Sequence, residues 1–177
     1  MDADPRDTAF LIQQLAERGV RHLRAAAVPA QRDPLDTRAL ISALAQHPEP
    51  RLREALIPLF LRHPADAPLV PGLTAALDPP ARLTLQHMYT AAVYLLRLWR
   101  EALSLYLGGF PLLPNYFGQT EFGLPDANEY FGEAGLRALA RHFEAVTGYE
   151  WLSAYQSIVN LMLEQLSLES FDVQPVG

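Results

Sequence analysis

Residues 10–30 (FLIQQLAERGVRHLRAAAVPA) lie over residues 39–59 (ALISALAQHPEPRLREALIPL) without a gap, at an offset of 29. Eight of the 21 aligned positions are identical, among them Leu11/Leu40, Ile12/Ile41, Leu15/Leu44, Leu23/Leu52, Arg24/Arg53 and Pro29/Pro58. A further step of 29 brings Leu69, Val70, Leu73 and Arg82 into register, with Pro79 beneath Pro50. A fixed period in the range of roughly 20–50 residues marks stacked units, none of which can bury its apolar face alone. Stacks of this kind serve mostly as binding surfaces, so the repeat constrains the style of function as well as the architecture.

Apolar spacing along the chain is helical and never alternating, which predicts an all-α fold. The first helix is expected from Asp7 as N-cap to Arg18, with Gly19 as its stop. A short second helix follows over 21–28, ended or bent by Pro29. A third is capped by Asp36 and stops before His47-Pro48, and a fourth covers about 51–63 with Pro58 inside it. A weaker fifth spans 66–77. The strongest pattern is 81–107, opened by Pro79-Pro80 and closed by Gly108-Gly109, apolar nearly all round at its centre and so expected as a buried central helix. After an irregular stretch at 109–131, two more helices are expected, at 133–147 ending on Gly148 and at 150–168, with a loose tail behind them. The organisation that follows is a repeat region at 1–80 and a helical region at 81–177, packed as one unit.

Composition narrows the chemistry. The chain has no cysteine, and all 14 basic residues are arginine. Thiolate metal sites, cysteine nucleophiles, P-loop lysines and Schiff-base lysines are therefore excluded. Residues 1–63 carry nine Arg against eight acids, whereas residues 64–177 carry five Arg against 12 acids. That acidic half opposes binding to a phosphate backbone, so nucleic acid is disfavoured as a partner. The start, MDADPRD, lacks the basic and apolar regions of a secretory signal. The uncharged run 83–96 is shorter than the ~20 residues of a spanning helix, and 102–120 is broken by Gly108-Gly109, Pro111 and Pro114. A cytoplasmic protein with no membrane contact is the expectation. The histidines show no metal-ligand spacing and the carboxylates no isolated pair, so neither a metal nor a cofactor is expected.

The repeat resembles HEAT-like repeats, the antiparallel helix pairs of α-solenoids, over roughly residues 7–88. The resemblance is carried by the leucine-rich first helix and by the starts Leu23-Arg24-Ala25-Ala26 and Leu52-Arg53-Glu54-Ala55. It implies a short stack continuing into a C-terminal bundle around the long helix. Its members often place an Asp in the turn to pair with the repeat arginine; here Glu49 is the local stand-in for Arg53. The repeat arginines Arg24, Arg53 and Arg82 are expected to brace neighbouring repeats through turn carbonyls and carboxylates, the other reading being a groove for an acidic partner. A second, weaker resemblance is to HEPN nucleases, whose R-x4–6-H motif matches Arg137-x4-His142. It implies RNA cleavage, or an inactive toxin–antitoxin component, built on Arg137 and His142.

The segment 109–131 is the other functional candidate. Phe110, Leu113, Tyr116, Phe117, Phe122 and Tyr130 cannot all be left in water, since burying each such side chain is worth about 1.5–3 kcal/mol. Either they fill the interior or they dock a partner as aromatic anchors. The expectation is a non-enzymatic interaction module or accessory subunit that binds a protein through the helical stack and this segment, with homo-oligomerisation left open and the HEPN-like RNase as the alternative.

Overall fold

The computed structural model describes residues 7–26 and 31–172. Every regular element in them is helical, and the fold is all-α. Two compact units divide the chain, Met1–Tyr89 and Thr90–Gly177. The boundary falls after Tyr89, inside a helix, and not at the expected position 80.

In the first unit, α1 (Thr8–Glu17) and α2 (Thr37–Ala45) start in the same way. Asp7 Oδ1 accepts from the Ala9 and Phe10 amides at 3.0 and 3.2 Å, and Asp36 Oδ1 accepts from Ala39 at 2.7 Å. Each carboxylate satisfies amides that the first helical turn leaves open. The next helix was expected as one piece and forms as two, α3 (Pro50–Glu54) and α4 (Leu56–Arg62). Pro58 accounts for the break: it has no N–H for the Glu54 carbonyl and its ring crowds that same carbonyl. A 3-10 turn, Pro64–Leu69, leads into α5 (Val70–Ala76). Leu11, Leu15, Leu40, Ile41, Leu44, Leu52, Leu56 and Ile57 are fully buried, and Phe60 meets Tyr89 edge-on with ring centroids 5.1 Å apart.

The helix expected at 21–28 is absent over 21–26, which are irregular, while 27 and 28 lie outside the described residues. The stretch is too short to nucleate alone, and position 21 holds arginine where the later copies hold Pro50 and Pro79. Arg24 therefore sits in a loop and Arg53 in a helix. The chain entering α2 is tied to α1 instead. Buried Gln14 accepts from the Leu35 amide at 2.9 Å, Arg18 donates to the Leu35 carbonyl, and Arg32 pairs with Asp7 at 3.2 Å.

The later copies agree more closely. Arg53 donates to the His47 and Pro48 carbonyls at 2.9 and 2.8 Å. Arg82 donates to the Thr74 and Leu77 carbonyls at 2.9 and 3.1 Å. Arg53 thus gathers carbonyls of the turn that follows α2, and Arg82 gathers carbonyls at the end of α5. Glu49 is not the partner of Arg53; it pairs with Arg51 at 2.7 Å and accepts from Thr8 at 2.9 Å.

The long helix also divides. α6 (Pro79–Leu98) and α7 (Arg100–Leu107) are separated at Trp99, whose φ of −104° and ψ of 15° leave the helical range. No proline or glycine stands there. The break follows the turn of α6 on which Asn128 and Gly132 pack. Gly108, with φ 70°, ends α7, and α8 (Glu133–Thr147) ends on Gly148 with φ 69°. α9 (Trp151–Asp172) runs past the expected stop at 168, so Glu169–Asp172 are helical, and the remaining tail lies outside the described residues. No described helix is long and apolar enough to cross a membrane.

Candidate functional site

Tyr94 organises the second unit. It is fully buried, its hydroxyl donates to the Pro125 carbonyl at 3.1 Å, and its ring fills the space that a Cβ on Gly135 would occupy, 2.2 Å from Cε1. A Cβ on Gly118 would lie 2.5 Å from the same hydroxyl. Burial raises the phenol's pKa, against the pull of its Asn115 hydrogen bond and the Arg97 charge. These contacts pull the segment after α7 inward. Leu113 and Phe117 are core residues, together with Leu124 and Ala127.

The six aromatic and aliphatic positions expected to dock a partner therefore separate. Leu113 and Phe117 support the segment from inside, and neither offers a surface. Phe110, Tyr116 and Phe122 are half-buried. Tyr116 lies against Phe117 at 6.0 Å, and Phe122 packs on His142 and Phe143 at 5.4 and 5.5 Å. Tyr130 stands out, 73% exposed, and Phe131 beside it is 80% exposed.

The backbone beneath that pair is unusual. Tyr130 has φ 47°, Phe131 φ 57° and Gly132 φ 93°, three successive left-handed residues. Glycine adopts this conformation freely, but an aromatic residue does so at a cost of about 1–2 kcal/mol. Neighbouring contacts impose the turn. Asp126 Oδ1 accepts from the Asn128 amide at 2.8 Å, and the Asn128 carbonyl accepts from Phe131 at 3.1 Å. A Cβ on Gly132 would lie 2.5 Å from the Tyr94 carbonyl oxygen, so the chain presses directly on α6 there. Strained non-glycine residues concentrate at binding and switch sites.

Phe131 overhangs an open cavity of about 570 Å³, whose other walls include Arg97, Trp99, Arg100 and Glu101. A second recess of about 210 Å³ adjoins Phe131, Arg97, Arg100, Leu112 and Asn128. Arg97 is fixed: its Nε donates to Asn128 Oδ1 at 3.1 Å, and Nη1 donates to the Val93 and Leu113 carbonyls at 2.9 and 3.1 Å. Arg100 is exposed, and its guanidinium has no hydrogen-bond or ion-pair partner among the described residues. The Trp99 indole N–H is buried and meets no acceptor among the described residues. Neither arginine was singled out from sequence. The available signal was two arginines three residues apart, at the end of an apolar helix in an acidic half.

Arg137 and His142 are not drawn together. Five residues apart on α8, they project roughly 140° from each other around the helix. Arg137 pairs with Glu133 at 2.8 Å. The cavity beside it is lined by Arg141, Glu144 and Glu150, without His142, whose ring packs on Phe122 and Phe143. Among the described residues, no group of three His, Asp or Glu side chains is placed to hold a metal ion.

No protein-family model, curated protein or solved structure matches this chain. What the site can do follows from its own geometry. It offers an outward aromatic pair, an open recess and a cation without a partner among the described residues.

Proposed function

We propose that this protein is a non-enzymatic interaction module, an adaptor or accessory subunit that engages a protein partner through the Tyr130–Phe131 projection. The observation that carries this is two neighbouring aromatic rings, 73% and 80% exposed, held outward by left-handed backbone beside an open recess. Large exposed rings on rigid backbone supply contact area at little entropic cost, the usual anatomy of an interface anchor.

Kinship of residues 7–88 with HEAT-like repeats belongs to the same proposal. It is supported by the matching Asp7 and Asp36 caps and by the Arg53 contact to the Pro48 carbonyl and the Arg82 contact to the Leu77 carbonyl, each pair one repeat apart. In this reading the repeat region is scaffold, with the second unit presenting the contact surface.

The test is site-specific crosslinking in cells, with a photoreactive phenylalanine analogue at position 131 and, as control, at Val146, which is 72% exposed on α8. Capture of one protein species from position 131 alone is expected. Equal capture at both positions, or none at 131, refutes the proposal.

A further inference from the structure

The second unit carries four arginines against ten acidic residues. Two of the four, Arg97 and Arg100, face the recesses beside Phe131, where Glu101 is the one acidic lining residue. The other two, Arg137 and Arg141, share their cavity with Glu144 and Glu150 and are locally neutralised. The Phe131 recess is thus a cationic point on an acidic body, with apolar walls and, at its rim, the Arg100 guanidinium, which has no partner among the described residues.

Building on the interaction reading above, we propose that this recess receives an acidic segment of a protein partner. An Asp or Glu carboxylate meets the Arg100 guanidinium, and an adjacent apolar side chain lies against Phe131 and Leu112. Three observations select this occupant. A guanidinium binds a carboxylate through paired N–H donors, the stronger class of hydrogen bond. A polyphosphate such as nucleic acid meets a unit whose net charge is −6, and Glu101 opposes a dianionic phosphate more than a monoanionic carboxylate. A second copy docking about a two-fold axis through the recess brings Arg100 towards its own equivalent, which like-charge repulsion disfavours. Arg97, held by Asn128, fixes the wall while Arg100 remains available to turn towards the ligand.

The test uses a random-peptide display library selected on the full chain, with Phe131→Ala as counter-selection. Recovered peptides are expected to share an Asp or Glu beside Leu or Phe. Replacing that acid by its amide should weaken binding about tenfold, the scale of one charge-assisted contact. Arg100→Gln should weaken the acidic peptide by the same factor and leave the amide peptide unchanged, with thermal unfolding as in the wild type. Peptides with no shared acid, or equal binding to Arg100→Gln, overturn the acidic partner while the aromatic docking reading stands. No peptide enriched over the Phe131→Ala counter-selection overturns both.

Discussion

The left-handed aromatic pair makes a stability prediction that separates backbone from ring. Comparing Phe131→Gly with Phe131→Ala removes the ring in both and changes only the Cβ. At φ 57° a Cβ costs about 1–2 kcal/mol, whereas glycine gives up about 0.5–1 kcal/mol in extra chain entropy. The glycine variant should therefore be the more stable by roughly 0.5–1 kcal/mol. Since Phe131 is 80% exposed, removing the ring itself costs little burial. Position 146 supplies the opposite control: Val146 is also exposed but lies within right-handed α8, where glycine should be less stable than alanine by about 1 kcal/mol. Urea unfolding followed by far-ultraviolet circular dichroism resolves both differences. If alanine is the more stable residue at both positions, the 130–132 turn is not left-handed, and the reason for the outward projection of the two rings is lost.

Three further outcomes follow from packing and charge. Gly135→Ala should cost about 2–3 kcal/mol, since its Cβ meets the Tyr94 ring at 2.2 Å; a double mutant with Tyr94→Ala should be strongly non-additive in thermal unfolding. Phe117→Ala should lose about 3–5 kcal/mol as a core cavity, whereas Tyr116→Ala, half-buried, should lose clearly less, measured by the same unfolding assay. Burial raises the Glu54 carboxyl pKa, with the Arg53 charge only partly opposing it, so the folded state disfavours the ionised form. Its favourable contribution is complete below the ordinary value of 4.5 and is lost as pH rises through the folded-state value. Glu54→Gln should accordingly stabilise the protein at neutral pH, with the gain shrinking on acidification, as read from unfolding curves across that range.

Local chemistry carried much of the helix pattern. Asp7, Asp36, Gly19 and Gly148 act at helix ends because a short carboxylate or a missing Cβ solves an end problem within a few residues. The same holds for Pro58, whose effect on Glu54 is dictated four residues away. What escaped sequence reading is non-local. The break at Trp99 has no proline or glycine to announce it. The inward fate of Leu113 and Phe117 depends on a hydroxyl and two glycine contacts from Tyr94, with partners 24 to 41 residues away in sequence. The candidate site joins α6 and α7 to residues 128–132 through Asn128 and Gly132, so its aromatic half showed in composition and its basic half did not.

That the boundary between the two units falls inside α6 bears on how such a chain could have arisen. Tyr89 and Thr90 are consecutive residues of one helix, with no linker to cut. A gene fragment ending at residue 80 would strip the first unit of buried Leu85, Met88 and Tyr89, leaving Phe60 without its ring partner. Neither half is therefore an exchangeable cassette. Recombination that preserves both must carry the whole of α6.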